Sequence, residues 1–369
     1  MPTTRAARRA ARCLTQVLPA DALGLVLYQL PLAHDIAAVA PTCHALCDAA
    51  KLARKLRPFS AEVVTLEQED RVSCVAATPS GDILTSCQHT IKVWRDGACV
   101  RTIEAPRVDG GEYAEQGNDV KALAVLPGES RFFSASHDSE TARLWALDGT
   151  LERGFRGFGA DAVAVTSDGM HLVLPTTPRE DSRRDEIRLY RLDGTLVHTF
   201  EGHEHYVEAL TVTRDGQHII SGGLDDLIKV WSVATKSLVS TCAGHTNGVD
   251  ALAAMPDSQR FLSAGYLPAT ADNTVRVWLL DGTLENTFEL HRFSVNALVA
   301  LPDNQHALSG SYDNAKLFNV NDGAVLRTFT YQNRGVYSLA LLPDGLRFVS
   351  GSYDATARIV YHGLAPQRG

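Results

Sequence analysis

His203, Ser221 and Asp225 lie within the single stretch Gly202 to Trp231. A histidine, a serine and an aspartate could form a nucleophilic relay, the imidazole taking the serine proton and the carboxylate orienting the imidazole. The rest of the chain does not support such chemistry. It contains no Gly-x-Ser-x-Gly elbow, no glycine loop ending in Lys-Ser/Thr and no His-Glu-x-x-His pair. His203 and His245 each follow a glycine, and His291 takes the same slot after Leu290, so these histidines repeat rather than mark one site. Asp225-Asp226 and Glu180-Asp181 are neighbours in the chain, which does not aim two carboxylates at one substrate. Metal binding fares no better. The seven cysteines form no Cys-x-x-Cys pair, and Cys43 and Cys47, flanking His44, are two thiols without a further pair, which reads as core packing. The chain therefore reads as a protein with no catalytic residue, no metal and no cofactor of its own.

The elements that carry these residues are strands. From Gly202, the alternating Val207, Ala209 and Thr211 are followed by a turn at Asp215-Gly216, a run at Ile219-Ile220, a turn near Asp225, and a last run ending on Ile228, Val230 and Trp231. Alternation of period two broken by Asp-Gly turns predicts antiparallel strands. Seven such units align on Val72, Val120, Ala160, Val207, Val249, Val295 and Val336, with a mean spacing of about 44 residues, as expected of four-stranded blades. Third strands end on Trp94, Trp145, Tyr190, Trp231, Trp278 and Phe318, and Asp-Gly turns at Asp96, Asp148, Asp193, Asp281 and Asp322 lead to outer strands.

A Gly-His start and a Trp finish at this spacing resemble the WD-repeat family, whose unit is one propeller blade. The resemblance implies a mainly β fold, a seven-bladed propeller over residues 59–369, in which His203, Ser221, Asp225 and Trp231 form a buried hydrogen-bonded chain. The last unit has no outer strand after Ile359-Val360, so residues 61–67 are expected to complete it and close the ring. In this family one face carries the loop before each blade and the loop between its second and third strands. The three long insertions, Pro106 to Asn118, Pro175 to Glu186 and Tyr266 to Asp272, all fall there. The same face is expected to display His137, Tyr312 and Tyr353, just before the turn aspartates, and Glu208, Asp250, Asn296 and Tyr337, just after the first-strand position. Tyrosines beside acids suit a protein or peptide carrying Arg or Lys.

Composition limits the partners. The net charge of -8 combines +5 over residues 1 to 58 with -13 over the remainder. An acidic main body disfavours phosphate backbones, so nucleic acid is not expected as a partner. No run of about 18 apolar residues exists to cross a membrane. An odd cysteine count without a disulfide pattern fits the reducing cytoplasm or nucleus.

The first 58 residues do not repeat. Residues 1–15 read as a disordered basic tail, the alternative being that the Ala- and Arg-rich Met1 to Cys13 begins an organelle transit peptide. Leu23, Val26, Leu27 and Leu30 then form a helical stripe ended by Pro31; Ile36 and Val39 begin a second, and Pro41 suits the first turn of a third. The order Leu18-Pro19, amphipathic helix, Pro31-Leu32, Asp35-Ile36, Thr42-Cys43-His44-Ala45-Leu46 is similar to an F-box over residues 16 to 56, with Leu46 where that family often has an aromatic. The resemblance implies a three-helix segment over 16–58 whose Leu18, Pro19, Leu23, Leu27, Leu30, Leu32 and Ile36 contact a Skp-type adaptor. With the propeller, it implies a non-catalytic substrate receptor of a cullin-RING (SCF-type) ubiquitin ligase. The alternative is a WD-repeat scaffold for another complex, with the helices as a cap.

Overall fold

The computed structural model describes residues 63–106, 119–128, 130–136, 141–156, 162–176, 185–265 and 272–364. The chain divides into two units, residues 1–62 and 63–369. The helical segment and all seven adaptor-contact leucines, proline and isoleucine lie outside the described residues, as do His137 and most of each long insertion.

The second unit is a propeller of seven four-stranded antiparallel sheets. Blades 1 to 6 follow one another along the chain, each running from innermost to outermost strand; blade 4, for instance, is Val207–Val212, His218–Gly223, Leu227–Ser232 and Ser237–Ala243. Their innermost strands begin at Cys74, Ala122, Ala164, Val207, Val249 and Val295, and blade 7 begins with Val336–Leu341. Each innermost strand touches the next, and the seventh touches the first, so the ring is closed. The seal is the strand Val64–Glu67, which pairs with Thr356–Tyr361 from Val64↔Ile359 to Glu67↔Thr356 and supplies the outermost strand of blade 7. Its Leu66 is 1% exposed.

Local chemistry sets the strand ends. The turns at Asp148-Gly149 and Asp193-Gly194 need a left-handed residue, and Gly149 and Gly194 supply it at φ 90° and 88°. Packing then joins the blades. Trp231, at the end of the third strand of blade 4, packs with Phe200, Leu189 and Val173 of blade 3. Trp278 of blade 5 meets Ile220, Ile228 and Val230 of blade 4 in the same way. An aromatic this well buried typically costs about 3–5 kcal/mol to truncate to alanine.

Blade 3 departs from the pattern for a readable reason. Its second strand, His171–Thr176, contains Pro175, which brings no N–H to a strand flanked on both sides. The ladder to its innermost strand is reduced to Ala164↔Val173 and Val165↔Leu172. Ala162 and Val163, ahead of that short strand, line the central cavity.

Candidate functional site

Blade 4 brings its histidine, serine and aspartate into relay geometry. His203 Nδ1 lies 2.9 Å from Asp225 Oδ2, and His203 Nε2 lies 2.8 Å from Ser221 Oγ. The same arrangement recurs in blade 5 with His245, Asp272 and Ser263, and in blade 6 with His291, Asp313 and Ser309. It cannot act as a nucleophilic site. Ser221 and Ser263 are fully buried, and each accepts a hydrogen bond from a tryptophan, Trp231 at 2.9 Å and Trp278 at 2.8 Å. Both ring nitrogens of each histidine are thus engaged, Nδ1 by the aspartate carboxylate and Nε2 by the serine hydroxyl. Burial pushes the Asp225 carboxyl up, but hydrogen bonds from His203 and from the Glu204 and Leu227 N–H groups outweigh it and leave the pKa lowered.

Other blades keep parts of the chain. Gln68 stands in the histidine slot of blade 1 and donates to Thr85 Oγ1, which also accepts from Trp94. Gln332 does so in blade 7, donating to the Ser350 carbonyl. Blade 3 has Leu174 at the serine position, opposite Arg188, and Tyr190 in place of tryptophan. Asp272 corrects the reading of its insertion: the last residue of Tyr266 to Asp272 belongs to the frame. The histidine-to-aspartate spacing is 22 residues in blades 4 and 6 but 27 in blade 5, where the longer loop intervenes.

The face and channel residues form the second constellation. Glu208, Asp250, Asn296 and Tyr337 each sit at a register break near the start of an innermost strand, where pairing jumps from Val207 to Ala209, from Val249 to Ala251, from Val295 to Ala297 and from Val336 to Ser338. A bulge of this kind frees one residue from the ladder and re-aims its side chain. All four line a central cavity of about 280 Å³, together with Ser73 and Lys121 at the corresponding positions of blades 1 and 2. Asn296 donates across to the Val336 carbonyl of blade 7 at 3.1 Å.

The three tyrosines meet at the edge of this cavity. Tyr337 and Tyr353 are stacked with centroids 3.5 Å apart and planes 5° from parallel, and Tyr312 meets Tyr337 edge-on at 5.0 Å. The Arg71 guanidinium lies over Tyr353, 5.4 Å from its centroid, and donates to Asp119 at 2.6 Å. Tyr312 is half exposed, whereas Tyr337 and Tyr353 are partly buried, so the trio is one layered structure rather than three independent surface anchors. Burial raises the Tyr337 and Tyr353 hydroxyl pKa values, most strongly at Tyr337, where Tyr312 adds to the effect. Both phenols are therefore neutral at physiological pH. Gly335 backs onto this group at φ 79°, and a Cβ there would lie 2.7 Å from Tyr312 Cα.

Sequence reasoning missed several members of the surface. Phe293, 50% exposed, lies in the loop before blade 6, where the Ser311 hydroxyl donates to its carbonyl. Its signal was a large apolar residue two places after the frame residue His291, outside any alternation. Arg71, immediately before Val72, carried no such signal, because its partners come from distant blades. Among the described residues, no group of three or more His, Cys, Asp or Glu side chains is arranged to hold a metal ion.

Comparison with known proteins agrees with the geometry. The family model "WD domain, G-beta repeat" matches residues 61–95, 194–232, 236–278, 282–315 and 323–360, just over half of the chain. The nuclear distribution protein PAC1 of Arthroderma otae is 26% identical over 183 residues, covering 43% of this chain and 37% of that protein. The cilia- and flagella-associated protein 52 of Chlamydomonas reinhardtii is 29% identical over 143 residues, covering 38% of this chain and 21% of its own length. The chain thus spans well under half the length of these relatives. Blade 2 and most of blade 3 fall between the first two spans of the family match.

Proposed function

This chain belongs to the WD-repeat family, whose propellers generally serve protein–protein interaction rather than catalysis, and we propose that it captures a partner protein on the face bearing Tyr312, Tyr337 and Tyr353. The observation that carries this reading is the aromatic layer itself: Tyr312, 50% exposed, meets edge-on the Tyr337 ring that stacks on Tyr353 and lines the central cavity, and Phe293 of the loop before blade 6 is also 50% exposed. Large aromatic side chains that lose little conformational freedom on contact dominate interface energetics. Such rings gain nothing for the isolated fold by facing water.

The finer proposal is that the captured protein is a ubiquitylation substrate. It rests on the F-box-like order of residues 16 to 56, whose Leu18, Pro19, Leu23, Leu27, Leu30, Leu32 and Ile36 would dock on a Skp-type adaptor of a cullin complex. Catalysis would then belong to associated subunits, with this chain raising the local concentration of the target. A cytosolic or nuclear setting is proposed with it, where free thiols such as Cys74, Cys87, Cys99 and Cys242 persist.

Co-purification tests both parts. Recombinant full chain should retain a Skp-type adaptor, and Leu18→Ala combined with Leu27→Asp should abolish retention while the propeller melts unchanged. If the adaptor is not retained by the parent chain, the ligase reading fails, and the chain is a WD-repeat scaffold with its N-terminal helices as a cap. Loss of partner capture with Tyr312→Ala, at unchanged adaptor binding, tests the face separately.

A further inference from the structure

The outermost strands form the rim of the ring, and each leaves one row of backbone N–H and C=O groups without a strand beside it. Two devices blunt such edges. A bulge near the start of the outermost strand is common to blades 1 to 6, and a charged residue stands in the outermost strand of every blade except the fourth. There Ser237–Ala243 reads Ser-Leu-Val-Ser-Thr-Cys-Ala, seven residues without a charge, and its Leu238 and Val239 are each 47% exposed. We infer that this strand pairs antiparallel with the same strand of a second copy of the chain, joining two fourth blades into one eight-stranded sheet across a two-fold axis at Ser240.

Charge selects the occupant. When a strand pairs over its full length with its own copy, its central residue meets itself, and like charges set directly opposite are destabilising. Blade 1 would set Arg101 against Arg101, and blade 6, whose Val325 and Leu326 are similarly exposed, would set Arg327 against Arg327. Blades 3, 5 and 7 would lay a terminal glutamate on the copy's first apolar residue, as Glu201 on Leu196, and blade 2 would lay Glu152 on Phe155. Ser237–Ala243 meets itself without a charge, Ser240 opposite Ser240 and Val239 opposite Thr241. The Ser240 hydroxyl already donates to the Leu280 carbonyl of blade 5, so the axis is held by backbone. Two acidic bodies repel, and an edge that adds no like charge is where copies can approach. Seven residues give an edge of about 23 Å, too little for an obligate interface, so the pairing is reversible and micromolar. Antiparallel pairing at the rim turns the two capture faces in opposite directions and leaves both open.

Sedimentation velocity of the full chain across a wide micromolar range should show a monomer–dimer equilibrium that strengthens severalfold as salt screens the repulsion between the acidic bodies. Val239→Glu puts into the bulge the residue type that blades 2 and 5 hold there, Glu152 and Glu285, and Ser240→Arg copies Arg101 of blade 1. Both substitutions thus suit the frame, and an unchanged melting temperature checks it. Each should weaken dimerisation at least tenfold, whereas Leu326→Glu on blade 6 and Tyr312→Ala on the capture face should leave it unchanged. Hydrogen exchange should slow at Ser237–Ala243 as protein concentration rises, and at no other outermost strand. A chain that stays monomeric at every concentration, a dimer indifferent to both blade 4 variants, or one lost equally with Leu326→Glu would overturn the inference. Should both blade 4 variants destabilise the fold, the parent chain decides, and no concentration-dependent protection at Ser237–Ala243 overturns the inference in the same way.

Discussion

Arg71 and Tyr353 are separated by most of the chain, yet the guanidinium carbon of one lies 5.4 Å from the ring centre of the other. Arg71 sits in the link between the sealing strand Val64–Glu67 and the innermost strand of blade 1, and Tyr353 in the turn after the second strand of blade 7. With Asp119, the contact spans blades 7, 1 and 2. Because the Arg71 side chain is 42% exposed, screening keeps its share of stability to about 1 kcal/mol or less. Arg71→Ala should therefore barely move the urea midpoint.

The tyrosine layer predicts unequal costs. Tyr312→Ala should cost about 0.5–1.5 kcal/mol at most, the worth of its edge-on contact with Tyr337, since half of the residue faces water. Tyr337→Ala and Tyr353→Ala each break the stack, and a double-mutant cycle by urea denaturation should return a coupling of about 0.5–1.5 kcal/mol between them. A coupling near zero would mean that the rings do not support one another.

Ser221→Ala separates frame from chemistry. It leaves His203 Nε2 and Trp231 Nε1 unpaired in the core, at about 1–3 kcal/mol for each group. The measured loss should appear as a lower melting temperature with partner capture intact. The parent protein should not be labelled at Ser221 by a fluorophosphonate probe, because the hydroxyl is buried and engaged by both neighbours.

Acid should weaken the propeller in two stages. Burial lowers the His291 pKa from 6.5 despite the Asp313 carboxylate beside it, and burial lowers that of His362 in the same direction. A folded state that binds a proton less readily than the unfolded chain is stable above the unfolded value and loses that stability as pH falls through 6.5 toward the folded value. In Asp313 burial raises the pKa, but His291 lowers it by more. Its contribution is therefore full above 3.8 and lost only as pH falls further. Melting temperature against pH should show both declines, and His291→Gln, the residue type that blades 1 and 7 use in this slot, should flatten the first.

The sealing strand is the last test. Leu66→Ala should cost about 2–5 kcal/mol, since the side chain is 1% exposed within the core of blade 7 and its neighbour. A loss confined to local fraying, detected by hydrogen exchange at Thr356–Tyr361 alone, would show that the ring tolerates an unsealed blade.

Much of this architecture is legible in the sequence because it depends on local chemistry. Alternation, Asp-Gly turns and a terminal aromatic announce each blade without knowledge of its neighbours. The regular members, Gly202 to Trp231 above all, are legible for that reason. The candidate site is legible only in its parts. Tyr312, Tyr337 and Tyr353 could each be assigned to a face, but their stacking depends on how closely blades 6 and 7 approach once the ring closes. Arg71 and Asp119 find Tyr353 only through that closure. Pro175 was visible as a residue, while its consequence, a shortened innermost strand in blade 3, depends on which neighbours its missing N–H would have served.

Pairing Val64 with Ile359 joins positions about 295 residues apart. The first of the described strands to emerge during synthesis must therefore wait, unpaired, for the last. Blades 1 to 6 are each built from consecutive strands and can form as they appear, but blade 7 cannot. Bringing such distant segments together costs loop entropy before any contact compensates for it. Until then Leu66 and the edge of Thr356–Tyr361 are both uncovered, and the newly made chain passes through a stage at which chaperones, or the corresponding edge of another copy, compete for the same strand.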